Sequence, residues 1–189
     1  MSGNIFFDRK QLKSCGQNVI IGKTVRIRYP ELVAIGDNVI IDDFTYISTS
    51  LVIDDNVHLA SGCKLIGGPS AVVRFCSFST LAPNVVLAAG SDDYIGGIAT
   101  PMVPNEYKGN IEVGTIEIGR HSIVGANSVV LPNVVFGEGA CLGALSMAKS
   151  NLDAWALYAG VPATMIKARN KNKILQLESD FMSRYKDDK

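Results

Sequence analysis

Residues 118–144 read IGRHSIVGANSVVLPNVVFGEGACLGA, and within them Ile118, Val124, Val130, Phe136 and Leu142 stand six positions apart. The same spacing links Ile35, Ile41, Ile47, Ile53, Leu59 and Leu65, and beyond Leu142 it reaches Ala148. Six is not a helical period, and a half-buried flat strand would repeat its apolar residue at every second position, not every sixth. A β-solenoid accounts for it. Three six-residue steps make one triangular coil, each step turns its aliphatic residue into the prism, and stacked coils build a ladder of Ile, Val and Leu. Four positions after a ladder residue the chain carries a small or β-branched residue, at Val39, Val57, Cys63, Ser122, Ser128, Val134, Ala140 and Ser146, where the prism narrows near a corner. Directly after a ladder residue comes glycine or a short polar residue, at Gly36, Asp42, Asp54, Gly119, Gly125, Gly137 and Gly143. The expectation is that this position bends, since Gly, Asn and Asp adopt left-handed backbone angles most readily.

Composition fits one domain with small appendages. The 189 residues are 47% hydrophobic and 19% charged, enough for a substantial core, and no apolar run approaches the roughly 20 residues of a membrane span. Eighteen basic and eighteen acidic residues leave no net charge, so no global field favours nucleic acid or an anionic membrane. Cys15, Cys63, Cys76 and Cys141 show no CxxC spacing, and two fall at inward positions, as expected for free cysteines in a reduced, cytoplasmic protein. No signal peptide is expected, because no basic segment leads into an apolar stretch.

The chain divides by its periodicity. Residues 1–17, with Ile5, Phe6, Phe7 and Leu12, read as a cap over the first coil, and residues 18–170 form the solenoid. Breaks at Tyr29-Pro30 and at Gly67-Gly68-Pro69-Ser70 read as bulges at corners. The period vanishes over 90–112, a long excursion loop holding Ser91, Asp92, Asp93, Tyr94, Tyr107 and Lys108, and loops of that length are usually functional. Residues 171–189 place Ile174, Leu177, Phe181 and Tyr185 at helical spacing, predicting an amphipathic C-terminal helix.

Three segments carry a family resemblance: IGDNVIIDD at 35–43, the stretch at 118–144, and YAGVPATMIKAR at 158–169. With them the chain resembles the hexapeptide-repeat acyltransferases, which implies an all-β, left-handed parallel β-helix that moves acetyl from acetyl-CoA and needs no metal. HLASGC at 58–63, SDDY at 91–94, TPMVP at 100–104 and LDAWALYAGVPA at 152–163 resemble the branch of bacterial surface-polysaccharide and lipopolysaccharide synthesis. That branch implies a sugar or nucleotide-linked amino sugar as acceptor, and a homotrimer with sites between subunits.

Asp92 stands where many members of that family open the loop with a basic histidine. A carboxylate, at about 3.9 against about 6.5 for imidazole, is the weaker base for a sugar hydroxyl, while a free amine needs only orientation and removal of a proton. The substitution favours N-acylation. O-acylation of a glycan hydroxyl and a non-catalytic scaffold are the alternatives, and the two histidines are the other candidates for the base. His58 faces outward from the prism, and His121 follows Arg120 at a corner, where a solvated turn residue is the plain alternative. The catalytic candidates are therefore Asp92, Asp93, His58 and His121. Asp42, Asp43, Asp54 and Asp55 recur at corners and read as structural. The resemblance places acetyl-CoA along later coils, against the backbone of Gly125, Ala126, Gly143 and Ala144, with the Ala126 N–H suited to the thioester oxyanion. Lys167 and Arg169 are the candidates for its phosphates, with Lys171 and Lys173 beyond them.

Overall fold

The computed structural model describes residues 4–187, with the side chains of the final helix described through Arg184, so the expected contact of Tyr185 lies outside the described residues. The chain winds through about seven turns of a parallel β-solenoid. Each face of the prism is a stack of short parallel strands whose registers bring equivalent steps together. On the first face Cys15, Ile35, Ile53, Phe75, Ile118 and Phe136 are successive partners. The second face aligns Ile21, Ile41, Leu59, Leu81, Val124 and Leu142, and the third Ile27, Ile47, Leu65, Leu87, Val130 and Ala148. From Ile35 onward every one of these is at most 3% exposed. The six-residue period is thus the core itself. Hydroxyls that share the interior are satisfied by backbone: Ser122 donates to the Gly137 carbonyl and Ser128 to that of Gly143, at 3.1 and 2.8 Å.

The bend does not lie where the glycines suggest. Positive φ falls three positions after the ladder residue, at Asn38, Asn56, Asn84, Asn127 and Asn133, and at the bulkier Phe44, Phe78, His121, Leu145 and Trp155. The glycines directly after the ladder residue are there for clearance. A Cβ on Gly137 would lie 2.6 Å from the backbone nitrogen of Ala154 in the next coil, so the corners stack too closely for a side chain.

Interruptions of the repeat gather at one edge, the corner from third to first face. Pro30–Leu32 forms a 3₁₀ turn there, rather than the bulge expected at Tyr29-Pro30. Gly67–Ser70 does bulge, inside the bent strand Lys64–Phe75 and against Ser48–Ser50 of the bent strand Tyr46–Ile53. The long excursion leaves from the same corner one coil later, after the strand Val86–Ala88.

Both ends are closed. Asn4 donates to the carbonyls of Gly22 and Val25, Asp8 and Gln11 form a capping box, and Leu12 is buried against the first coil. At the far end an antiparallel hairpin, Ala156–Gly160 with Ala163–Ala168, completes the second face. The helix Lys171–Asp187 then returns along the corner between first and second faces. Among the described residues no helix is long and apolar enough to cross a membrane.

Candidate active site

The excursion loop is built on a two-rung antiparallel base, Gly90–Ser91 with Glu112–Val113. Above it Asp93 ties the loop together: one carboxylate oxygen accepts from the N–H groups of Ile95 and Gly96, the other from Asn110, all at 2.9 Å. Those amides, that of Asn110 foremost, hold the Asp93 carboxyl below the usual range and keep it ionised. Asp92 next to it is exposed, and among the described residues no donor reaches its carboxylate. Asp93 therefore shapes the loop and Asp92 is free to meet a ligand. Around them Tyr94, Ile95 and Met102 are 89%, 100% and 88% exposed, an apolar surface without cover in one copy of the chain.

The two histidines sit in opposite settings. His58 projects from the second face, its side chain 46% exposed, with Nε2 2.8 Å from the Asp42 carboxylate. An N–H given to Asp42 leaves the lone pair on Nδ1, the tautomer of an oriented base. His121 is 9% exposed, so it is not a solvated turn residue. It stacks on Phe78 at 5.3 Å, leans toward Trp155 at 6.0 Å, and gives Nε2 to Glu178 of the C-terminal helix, which also pairs with Arg120. Burial, then the Arg120 charge, pushes its pKa down. These contacts dock the helix.

Along the corner between second and third faces, Asp42, Ala60, Ala82, Gly125 and Gly143 stack in one column, each N–H bonded to the next coil. Gly125 and Gly143 thus spend their N–H groups on the carbonyls of Leu142 and Tyr158, at 2.8 and 2.7 Å. The N–H groups of Ala126 and Ala144 have no acceptor among the described residues and remain open to a ligand. Lys167, in the closing hairpin, is exposed. Arg169 is committed to the fold, donating to the carbonyls of His121 and Gly139 at 2.8 and 2.6 Å.

The candidates therefore occupy three different corners of the prism. Asp92 and Asp93 lie at the third-to-first corner, His58 with Ala126 and Ala144 at the second-to-third, and His121 with the Arg169 guanidinium at the first-to-second. Sequence reasoning treated Asp42 only as a corner residue; its partnership with His58 forms across one regular coil, where Ile41 pairs with Leu59 and brings the residue after Ile41 beside the outward residue before Leu59. Cysteine chemistry has no foothold in the core, where burial pushes the Cys63 thiol up to about 11. Among the described residues no cluster of three His, Cys, Asp or Glu could hold a metal ion.

No protein-family model matches the chain. It is 38% identical over 173 residues to a dTDP-4-amino-4,6-dideoxy-D-glucose acyltransferase of Escherichia coli, covering 89% of this chain and 88% of that protein. It is also similar to WbbJ of E. coli K12, assigned to lipopolysaccharide biosynthesis as an O-acetyl transferase, at 28% identity over 66% of this chain and 61% of WbbJ. Among solved structures, the N-acyltransferase AntD from Bacillus cereus, in complex with dTDP and 3-hydroxybutyryl-CoA, superposes with a TM-score of 0.89 at 36% identity, covering 97% of this chain and 99% of AntD. A variant of AntD with cysteine in place of a serine has been solved with dTDP-4-amino-4,6-dideoxyglucose and coenzyme A, at 37% identity and a TM-score of 0.88, over 96% of this chain and 98% of AntD.

Proposed function

The chain belongs to the hexapeptide-repeat sugar acyltransferases, and from that premise we propose that it transfers acetyl from acetyl-CoA to the amine of a nucleotide-linked amino sugar. The observation that carries this reading is the near full-length similarity to enzymes that acylate, or are bound to, a dTDP-linked 4-amino sugar. The loop agrees: its entrance offers an open carboxylate, Asp92, where hydroxyl chemistry would call for a stronger base.

In the proposed reaction the neutral amine attacks the thioester carbonyl carbon, forming the C–N bond. The open N–H of Ala126 receives the oxyanion. Collapse of the tetrahedral intermediate breaks the C–S bond and expels CoA thiolate. The ammonium proton passes to Asp92 or to His58, which Asp42 orients, and thence to solvent or the departing thiolate. The acyl-CoA lies along the corner of Gly125, Ala126, Gly143 and Ala144, with Lys167 toward its phosphates. Since Asp92 and His58 lie at different corners, the site is completed by the corner of a second copy, and a homotrimer closes this arrangement with three equal sites. A cytoplasmic setting, where acetyl-CoA and nucleotide sugars are available, and a role in surface-polysaccharide synthesis belong to the same proposal.

A thiol-release assay tests it. With acetyl-CoA, dTDP-4-amino-4,6-dideoxyglucose should release CoA well above background, and the corresponding 4-hydroxy sugar should not. Release only with the hydroxyl sugar would favour O-acylation, the reading that similarity to WbbJ supports. No release with either would leave a non-catalytic scaffold.

A further inference from the structure

The third face is the floor between the corner that bears His58 and Ala126 and the corner from which the loop bearing Asp92 departs. Its outward positions are not neutral. Register places Arg26 beside Tyr46 and Tyr46 beside Lys64, so the first three coils present a cation, a phenol and a cation on neighbouring rungs about 4.8 Å apart. The Arg26 guanidinium lies 5.9 Å from the rings of both Phe6 and Tyr46. Such stacking fixes the guanidinium while leaving N–H groups at its edge to donate. Arg28 follows at the next corner, over Tyr29 at 5.6 Å. Arg26, Arg28 and Lys64 are all exposed, and among the described residues none has a carboxylate within 4 Å. Arg26 and Lys64, one rung to either side of Tyr46, repel one another across it, and a dianion laid over the phenol between them removes that cost.

We infer that Arg26, Tyr46 and Lys64 form the subsite for the pyrophosphate of the nucleotide-linked acceptor, which lies along the third face with its sugar directed to the loop base. This rests on the proposed acceptor class. Phosphate could equally belong to coenzyme A, but the open N–H groups suited to a pantetheine arm are at Ala126 and Ala144, in later coils and on another corner. The acceptor thus enters over the N-terminal coils and the donor over the C-terminal ones, and they meet near the fourth coil, where the loop leaves. Tyr46 has a further consequence: its ring stacks on Arg26, so losing it frees the guanidinium as well as removing a hydroxyl.

Calorimetric titration of the full-length protein with dTDP, and separately with CoA, tests the assignment, using Arg26→Ala, Lys64→Ala and, as a control, Arg74→Ala, an exposed cation on the first face. Charge-assisted contacts predict that Arg26→Ala and Lys64→Ala each weaken dTDP binding roughly ten- to hundredfold. CoA affinity should stay unchanged, and Arg74→Ala should match wild type for both ligands. In kinetics the two variants should raise KM for the amino sugar nucleotide with little change in kcat. Unchanged dTDP affinity in a wild-type background that acylates the amino sugar would overturn the subsite alone. So would a loss confined to CoA, or an equal loss in Arg74→Ala. Wild-type protein that neither binds dTDP nor acylates the amino sugar would instead overturn the acceptor class, and the subsite with it.

Discussion

Asp92 and Asp93 are adjacent, yet the fold gives them opposite duties. Asp93 accepts three backbone N–H groups and holds the loop, while Asp92 faces solvent. Asp93→Asn has a single carbonyl oxygen and cannot keep all three bonds, so hydrogen exchange at Ile95, Gly96 and Asn110 should quicken while global stability hardly moves. Unchanged exchange would remove Asp93 from that role. The same bonds have a pH signature. A carboxyl held low contributes its full stabilisation above the ordinary Asp value of about 3.9, and loses it as pH falls through the lower folded value. Loop amides should therefore stay protected at mildly acid pH and lose protection only below that value. For Asp92→Asn the expectation is a fall in kcat of roughly 10²–10⁴ if the carboxylate takes the proton, and less if the amine arrives neutral. His58→Asn separates the candidates, since a base at His58 predicts loss of turnover in this variant while Asp92→Asn stays active. Near-normal turnover in Asp92→Asn together with a dead His58→Asn would transfer the role to the Asp42–His58 pair.

The coil is the element that repeats, and its core position was fully legible from spacing because each ladder residue must enter the same narrow prism. Phe136, 1% exposed on the first face, is a fair test: Phe136→Ala should cost about 3–5 kcal/mol in denaturant unfolding. A change under 1 kcal/mol would contradict a close-packed ladder. The corners were harder to read. Small residues just after the ladder suggested the bend, whereas they serve close stacking, and the true left-handed position is obscured where Phe44, His121, Leu145 or Trp155 occupies it. The site was legible in part. Loss of the period marked the loop, but the period fixes which side chains point inward and not how outward ones pair, so it did not match Asp42 with His58 across one regular coil, and interruptions of differing length hid how the candidates distribute over three corners. Lys167 and Arg169 looked equivalent in sequence, and the closing hairpin separates them. Lys167→Ala should weaken acetyl-CoA binding, more so at low salt, with stability retained. Arg169→Ala, by stranding the carbonyls of His121 and Gly139, should lower Tm first. Equal effects of the two on donor affinity alone would contradict that division.

At the scale of the whole molecule, one copy of the chain leaves its loop uncovered and its chemistry divided between corners. Tyr94, Ile95 and Met102 on the loop, and Ile20, Ile40 and Ile123 on the second face, are apolar surfaces suited to burial between copies. Sedimentation at working concentration should give a trimer, and a stable, active monomer would contradict a shared site. Assembly alone does not establish the chemistry, which rests on what receives the acetyl group. The most direct measurement offers the enzyme acetyl-CoA with equal amounts of dTDP-4-amino-4,6-dideoxyglucose and its 4-hydroxy counterpart, and identifies the product by mass spectrometry and NMR. The account predicts a single product acetylated on the C4 nitrogen, an amide stable to hydroxylamine, formed in step with released CoA. An ester on the hydroxy sugar, or acetyl-CoA left intact beside both sugars, would contradict it.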